Sequence, residues 1–184
     1  LYAKWTTLPT YAVTYSANGA TSGTAPDSQT KTNDVALTLA SNSGNLEKTG
    51  YIFVGWNTAA NGTGMDYAVG ASYTVNAALA LYAKWTPVTY TVAYNGNGST
   101  GGSTANSSHT YDVAKALTAN GFTRTGYTFA GWATTAGGAV AYTDGQSVLN
   151  LANTQGATVT LYAKWTAVTY TVAYNGNGST GGST

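Results

Sequence analysis

Short stretches in which apolar and polar residues alternate recur along the chain, and they are rich in aromatic and β-branched side chains. In one of them, Leu81, Ala83 and Trp85 fall on the same face of an extended segment. In residues 90–94, the two tyrosines and the central valine share a face in the same way. Side chains of these types favour a pleated, half-buried surface, so the pattern predicts β-strands.

The predicted strands belong to a sequence repeat. The block LYAKWT occurs at residues 1–6, 81–86 and 161–166, which gives a spacing of 80 residues. Two further blocks, YxVxY and GYxFxGW, recur between these copies and always in the same order. The repeat therefore predicts four segments: the last strand of a preceding module, two whole modules, and the first strand and loop of a following module, at residues 1–7, 8–86, 87–166 and 167–184.

Residues typical of turns separate the strands. Asn95-Gly96 and Asn18-Gly19 each follow a predicted strand, and both residue types tolerate the positive φ that tight turns require. The helical pattern is weak. Its best candidate is residues 113–119 after Asp112 as an N-cap, which is long enough for two turns at most. The chain is therefore predicted to be mainly β, with at most one short helix in each module.

The aromatic residues occupy matched positions in the two whole modules, as the core of a repeated fold requires. The predicted structural core consists of Phe53, Trp56, Trp85, Tyr90, Tyr127, Phe129, Trp132 and Trp165.

The amino-acid composition excludes several classes of function. Charged residues make up 7% of the chain, against about 25% in a typical soluble domain. The net charge of +1 supplies no field for nucleic acid, and no apolar run is long enough for membrane insertion in this segment. Cysteine is absent, which excludes disulfides and thiolate metal sites.

Few residues could act in catalysis, and few of these occur at matched positions in the two modules. His109, the single histidine, has no counterpart of its own type in the first module and is predicted to lie at the surface. Asp112 and Asp144 are the acids of the second module, and no pattern makes them converge as a catalytic pair. We therefore expect no catalytic, cofactor-binding or metal-binding residues, no cofactor and no enzymatic activity.

The ordered blocks YTVAYNGNG, GYTFAGW and LYAKW resemble the Listeria–Bacteroides repeat, which is related to the B-repeat of internalin-type surface proteins. The resemblance covers essentially the whole chain. It implies small β-grasp, ubiquitin-like modules in a tandem array of a bacterial extracellular or cell-surface protein, and it brings no catalytic residues with it.

Three roles are compatible with such an array. The first is a structural spacer whose partners are neighbouring repeats of the same protein. The second is self-assembly into an extracellular filament by pairing of terminal strands. The strand residues that would pair are Leu1, Tyr2, Trp5, Tyr170, Val172 and Tyr174. The alternative is an adhesive module that binds a host glycoprotein or a cell-wall polysaccharide through exposed tyrosine and tryptophan.

Overall fold

The computed structural model describes residues 2–178 and 180–182. The prediction of a mainly β chain in tandem modules is confirmed, whereas the short helix is wrong, because no helix occurs among the described residues. The first module contains β1 (Thr10–Ser16), β2 (Gln29–Thr32), β3 (Leu37–Thr38), β4 (Tyr51–Asn57), β5 (Asp66–Tyr67), β6 (Ser72–Tyr73) and β7 (Leu79–Pro87). The second contains β8 (Thr89–Asn95), β9 (Gly101–Gly102), β10 (Ser107–Thr110), β11 (Lys115–Ala116), β12 (Phe122–Thr123), β13 (Tyr127–Ala133), β14 (Ser147–Val148) and β15 (Thr158–Ala167).

The predicted helix is replaced by a turn and an extended segment. Asp112 has a φ of 58°, which lies in the left-handed region and is typical of an Asp in a tight turn. The chain then continues into β11, whose partner is β14. Seven residues with few apolar contacts gain too little to hold a helix.

The chain forms two compact units whose limits do not follow the sequence repeat. The first unit consists of residues 1–91, 108–115 and 148–159. The second consists of residues 92–107, 116–147 and 160–184. Three segments of the second module, 87–91, 108–115 and 148–159, thus belong to the same unit as the whole first module.

The first unit is built around a five-stranded sheet with the order β2-β1-β7-β4-β5. Its two central strands, β1 and β7, run parallel, with Val13 opposite Leu79 and Tyr15 opposite Leu81. Strands β2 and β4 flank this pair in antiparallel orientation. A parallel pair requires a crossover connection, and here strands β2 to β6 and their loops supply it. The strands of the second module repeat the order, as β10-β8-β15-β13.

A β-bulge in the GYxFxGW motif decides which aromatic side chains enter the core. The register of β4 against β7 shifts between Phe53 and Gly55, which has a φ of 129°. The register of β13 against β15 shifts at the equivalent place, between Phe129 and Gly131. Strict alternation would send Phe53 and Trp56 to opposite faces, and the extra residue of the bulge brings both to the core side.

Each unit has an aromatic core around one fully buried tryptophan. In the first unit, the Trp56 ring lies 4.8 Å from Tyr15 and 5.2 Å from Phe53. In the second, the Trp132 ring lies 4.8 Å from Tyr94 and 4.9 Å from Phe129. These edge and tilted contacts are the arrangements that aromatic quadrupoles favour.

The other predicted core residues are distributed between the interior and the surface. Tyr90 is buried, and four of them are half-buried, namely Phe53, Phe129, Trp85 and Trp165. The prediction for Tyr127 is corrected, because 38% of this residue is exposed. His109, expected at the surface, is 1% exposed and stacks on the Tyr90 ring, because its strand, β10, turns this side chain inward.

The candidate assembly residues that the structure describes lie outside the sheets. Residues 2–9 and 168–176 form no strand. The side chains in these segments that were proposed to pair are strongly exposed, namely Tyr2, Trp5, Tyr170, Val172 and Tyr174. Leu1 lies outside the described residues. The YxVxY sequence folds as a strand at β1 and β8, where partner strands flank it, so the sequence alone does not fix its conformation.

Candidate functional site at the repeat junction

The two modules are joined by a single residue between strands. Strand β7 ends at Pro87 and β8 begins at Thr89, which leaves Val88 as the link. Val88 is 3% exposed. Its amide donates to the Gly50 carbonyl at 2.9 Å, and its carbonyl accepts the Tyr111 amide at 3.0 Å. All of these residues belong to the first unit, so the link is part of a folded unit and is fixed on both sides.

A corner of the first module, formed by Lys48, Gly50 and Tyr51, receives a turn of the second. The ammonium group of Lys48 lies 4.1 Å above the Tyr51 ring, within cation–π distance. The ring of Tyr111 meets the Tyr51 ring edge-on, with 5.9 Å between their centres. A Cβ added to Gly50 would lie only 2.3 Å from the Tyr111 ring, so the close approach of this ring requires glycine.

A tyrosine–carboxylate hydrogen bond completes the contact. The Tyr51 hydroxyl donates to Asp112 Oδ2 at 2.8 Å. The other carboxylate oxygen of Asp112 accepts the Asn150 side-chain amide at 2.7 Å, and the Asp112 amide donates to Asn150 Oδ1 at 2.6 Å. Asn150 therefore holds the carboxylate that accepts the Tyr51 hydroxyl.

The junction shifts the ionisation of both partners. The hydrogen bonds from Asn150 and Tyr51 hold the pKa of the Asp112 carboxyl below its ordinary value. The hydrogen bond to Asp112 raises the pKa of Tyr51. Around neutral pH the contact therefore joins a neutral phenol to a carboxylate, which is a charge-assisted hydrogen bond.

A groove borders this corner within the first unit. It has a volume of about 470 Å³ and contains aromatic rings, the charged side chains Glu47 and Lys48, and amide groups. Its aromatic lining consists of Tyr51, Phe53 and Trp85. The Trp85 indole already donates to the Asn18 carbonyl at 3.0 Å, so its ring presents mainly an apolar surface.

Other polar clusters stabilise individual loops. The buried side chain of Asn57 donates to Asp66 at 2.6 Å and accepts the amides of Ala59 and Gly64. Lys84 forms an ion pair with Asp66, and its hydrogen bond is the main reason that the pKa of Asp66 is lowered. This arrangement is not shared, because Ala133 occupies the position of Asn57 in the second module. No group of three or more possible metal ligands occurs among residues 2–178 and 180–182.

The sequence contains only part of the signal for this junction. The signal was present in pairs that recur together, namely Gly50-Tyr51 with Gly126-Tyr127 and Asp34 with Asp112. What it lacked was Tyr111, whose counterpart in the first module is Asn33. A contact made by only one of two copies leaves no repeated trace in the sequence.

The model of the Listeria-Bacteroides repeat domain matches the chain twice, at residues 11–84 and 90–164. The chain belongs to this repeat family. The two matches fall within the modules defined by the recurring blocks, and they make the chain a tandem array of a structural repeat that is typical of bacterial surface proteins. The family is not enzymatic in general.

Two proteins of Evansella cellulosilytica are similar to this chain. One, provisionally named Gly-rich membrane protein, is 29% identical over 175 residues, which cover 91% of this chain and 20% of that protein. The other, provisionally named membrane protein, is 37% identical over 86 residues, which cover 46% of this chain and 13% of that protein. The chain thus spans about a fifth or less of the length of these relatives. In the part of the chain that the structure describes, no helix combines the length and apolar character needed to cross a membrane.

Proposed function

We propose that this chain is a structural spacer of a bacterial extracellular or cell-surface protein, without catalytic activity of its own. The observation that supports this role best is the one-residue link, in which both backbone groups of Val88 are hydrogen-bonded and the side chain is buried. A spacer must transmit position from one module to the next. A buried link with fixed hydrogen bonds does this better than an exposed flexible linker.

The spacer role is tested by the distribution of distances between spin labels on the two modules. The chain has no cysteine, so Val69→Cys with Val113→Cys places one label on each module, both at exposed positions of the first unit, on the two sides of the link. We expect one narrow distance distribution. The control carries a short glycine insertion after Pro87 and should give a broad distribution. A broad distribution in the unmodified link would contradict the spacer role.

Surface placement requires a separate test on cells that produce the parent protein. Antibodies raised against this chain should label intact cells, and external protease should remove the label. Labelling that appears only after the cells are permeabilised would contradict the proposed location.

Filament formation is a finer form of this proposal. It is supported by the exposure of Tyr2, Trp5, Tyr170 and Tyr174 in segments that form no strand, because unpaired strand-forming sequence is a template for pairing with another chain. Electron microscopy of the purified protein should show filaments with a regular rise, and Tyr170→Asp with Val172→Asp should abolish them. Separate particles at every concentration would exclude this form and leave the spacer role intact.

The adhesive alternative is supported by the groove beside Tyr51, Phe53 and Trp85, because aromatic faces flanked by amide and charged groups suit stacking against a sugar ring. Titration with cell-wall polysaccharide should then quench tryptophan fluorescence, and Phe53→Ala should weaken the quenching. Unchanged fluorescence at saturating polysaccharide would exclude this site.

A further inference from the structure

The second module carries the same corner as the first, with its receiving side uncovered. The Arg124 guanidinium lies 4.0 Å above the Tyr127 ring, as Lys48 lies above Tyr51. The Val168 amide donates to the Gly126 carbonyl at 2.9 Å, as the Val88 amide donates to that of Gly50. The chain therefore leaves the second module by the same hydrogen-bonded path as it leaves the first.

What differs is the exposure of matched residues. Val88 is 3% exposed and Val168 is 53% exposed. A Cβ on Gly50 would collide with the Tyr111 ring, whereas one on Gly126 would meet nothing within 4 Å. The corner formed by Arg124, Gly126 and Tyr127 thus has the cation–π contact and the backbone hydrogen bond of the occupied corner, but no turn from the part of the chain that the structure describes covers it.

The sequence indicates which partner fits this corner. Residues 168–184 are identical to residues 88–104, the stretch that begins the second module. The corner of the first module is covered by Tyr111 and Asp112 of the second module, which follow residues 88–104 in the chain. A module that begins with the same residues would bring its own Tyr-Asp turn to the same place.

We propose that the corner formed by Arg124, Gly126 and Tyr127 is a docking surface for the Tyr-Asp turn of the next copy of this module in the same polypeptide. This inference rests on the spacer role proposed above and specifies its partner. We assign the turn to the same polypeptide because the contact is small. One hydrogen bond and one ring pair hold a turn effectively only when a short covalent link keeps it at high local concentration.

The test compares the chain with an extended form, in which Thr184 is followed by a further copy of residues 105–166. Since residues 168–184 repeat 88–104, the extension completes a third module with the sequence of the second. Hydroxyl-radical labelling of the Tyr127 ring and hydrogen exchange of the Val168 amide report directly on the corner. We expect Tyr127 labelling to fall to about the level of Tyr51, and Val168 exchange to slow on the order of tenfold, towards that of Val88.

Two variants separate docking from the general effect of a longer chain. In the extended form, Gly126→Ala should restore fast Val168 exchange, because its Cβ would meet the arriving ring. Tyr127→Phe should restore part of that exchange by removing the hydroxyl donor. In the unextended chain, Tyr127→Phe should leave Val168 exchange unchanged. Gly126→Ala strains the backbone whose carbonyl accepts the Val168 amide, so for this variant docking is measured as the ratio of Val168 exchange rates in the extended and unextended forms, which should be close to one. Exchange of the Val92 amide, in the core of the second unit, checks that each variant remains folded.

Two results would overturn the proposal. One is Tyr127 labelling that is the same in both forms. The other is protection that arises in the unextended chain and grows with protein concentration, since this would assign the corner to a second chain. Neither result depends on the label distances at the first junction, so the spacer role and the docking surface can fail independently.

Discussion

At the residue scale, matched residues of the two modules can differ in a single contact. Trp56 and Trp132 are both fully buried in equivalent strands. The Trp56 indole donates to the Ala40 carbonyl at 2.9 Å, whereas the Trp132 indole nitrogen has no hydrogen-bond acceptor among the described residues. A buried donor without an acceptor is destabilising, so the same residue type contributes less stability in the second unit than in the first.

We expect Trp132→Phe to be less destabilising than Trp56→Phe, by about 1–3 kcal/mol. Both changes remove the same ring volume, but only Trp56→Phe also breaks a hydrogen bond and leaves the Ala40 carbonyl without its donor. Native-state hydrogen exchange of the Val13 and Val92 amides measures the two units separately. Equal losses would show that the Trp132 indole has an acceptor in solution.

The buried His109 predicts a pH dependence. Burial, assisted by the positive charge of Lys115, lowers the pKa of His109 in the folded chain. The unfolded chain keeps an ordinary pKa of about 6.5. As the pH falls through this value, the unfolded state takes up a proton that the folded state resists, so the free energy of unfolding should decrease. The decrease ends once the pH falls below the pKa of the folded state.

Urea unfolding at pH 7.5 and pH 5 should therefore show lower stability at pH 5. His109→Gln should remove most of this difference, whatever its effect on the absolute stability. The pKa values of Asp66 and Asp112 are lowered in the folded chain, so the stability that these two carboxylates contribute is lost mainly below the acidic end of this window. A wild-type chain equally stable at both pH values would contradict the burial of a neutral histidine.

At the element scale, the two corner glycines form a natural comparison. Gly50 and Gly126 have φ values of 77° and 76°, so alanine introduces the same backbone strain at both positions, about 1–2 kcal/mol. Only at Gly50 does the new Cβ also meet the Tyr111 ring, which must move to accommodate it.

Gly50→Ala should therefore destabilise the chain more than Gly126→Ala, by about 1–3 kcal/mol, the range for an overpacked contact. Thermal or urea unfolding of the two variants measures the difference. Losses of equal size would mean that the Tyr111 ring does not lie against Gly50 in solution.

The alternation of apolar and polar residues was enough to predict the central strands, but it could not predict the β-bulge. Alternation correctly assigned β8, where Tyr90, Val92 and Tyr94 share the buried face. It could not show that Phe53 and Trp56 both reach the core, because a register shift depends on the partner strand β7 and on Gly55, not on the period of the sequence. The helix expected after Asp112 failed for the same reason, since pairing of β11 with β14 prevailed over local preference.

At the scale of the whole molecule, the link and the outer segments should differ in resistance to protease. Tyr90 and Tyr170 lie in identical sequence, so chymotrypsin has the same intrinsic preference for both. Tyr90 is buried in β8, whereas Tyr170 is 86% exposed and lies in no strand. Susceptibility at these two positions therefore reports structure alone.

Brief digestion with chymotrypsin should cut the chain after Tyr2, Trp5, Tyr170 and Tyr174 well before it cuts after Trp85 or Tyr90. Mass spectrometry of the first products identifies the sites. The full-length chain in urea is the control, in which Tyr90 and Tyr170 should be cut at similar rates. Early cleavage after Tyr90 under native conditions would contradict a buried link.

The family was readable from the sequence, because three blocks recur in one order and one of them, LYAKWT, recurs at a constant spacing of 80 residues. The compact units were not. Residues 108–115 and 148–159 join the first unit through contacts such as Tyr51 with Asp112, and such contacts join residues far apart in sequence. The sequence repeat identifies the segment that is copied, whereas packing contacts identify the residues that fold as one unit.

The one-residue link also restricts how such an array can change length through duplication and loss of coding sequence. A gain or loss of whole 80-residue periods keeps the same residues on both sides of each link. One added or missing residue at the link would displace the backbone groups of Val88 from their partners at Gly50 and Tyr111. Lineages that lengthen or shorten the parent protein should therefore differ by whole modules, with the residues around Val88 kept in register at every joint.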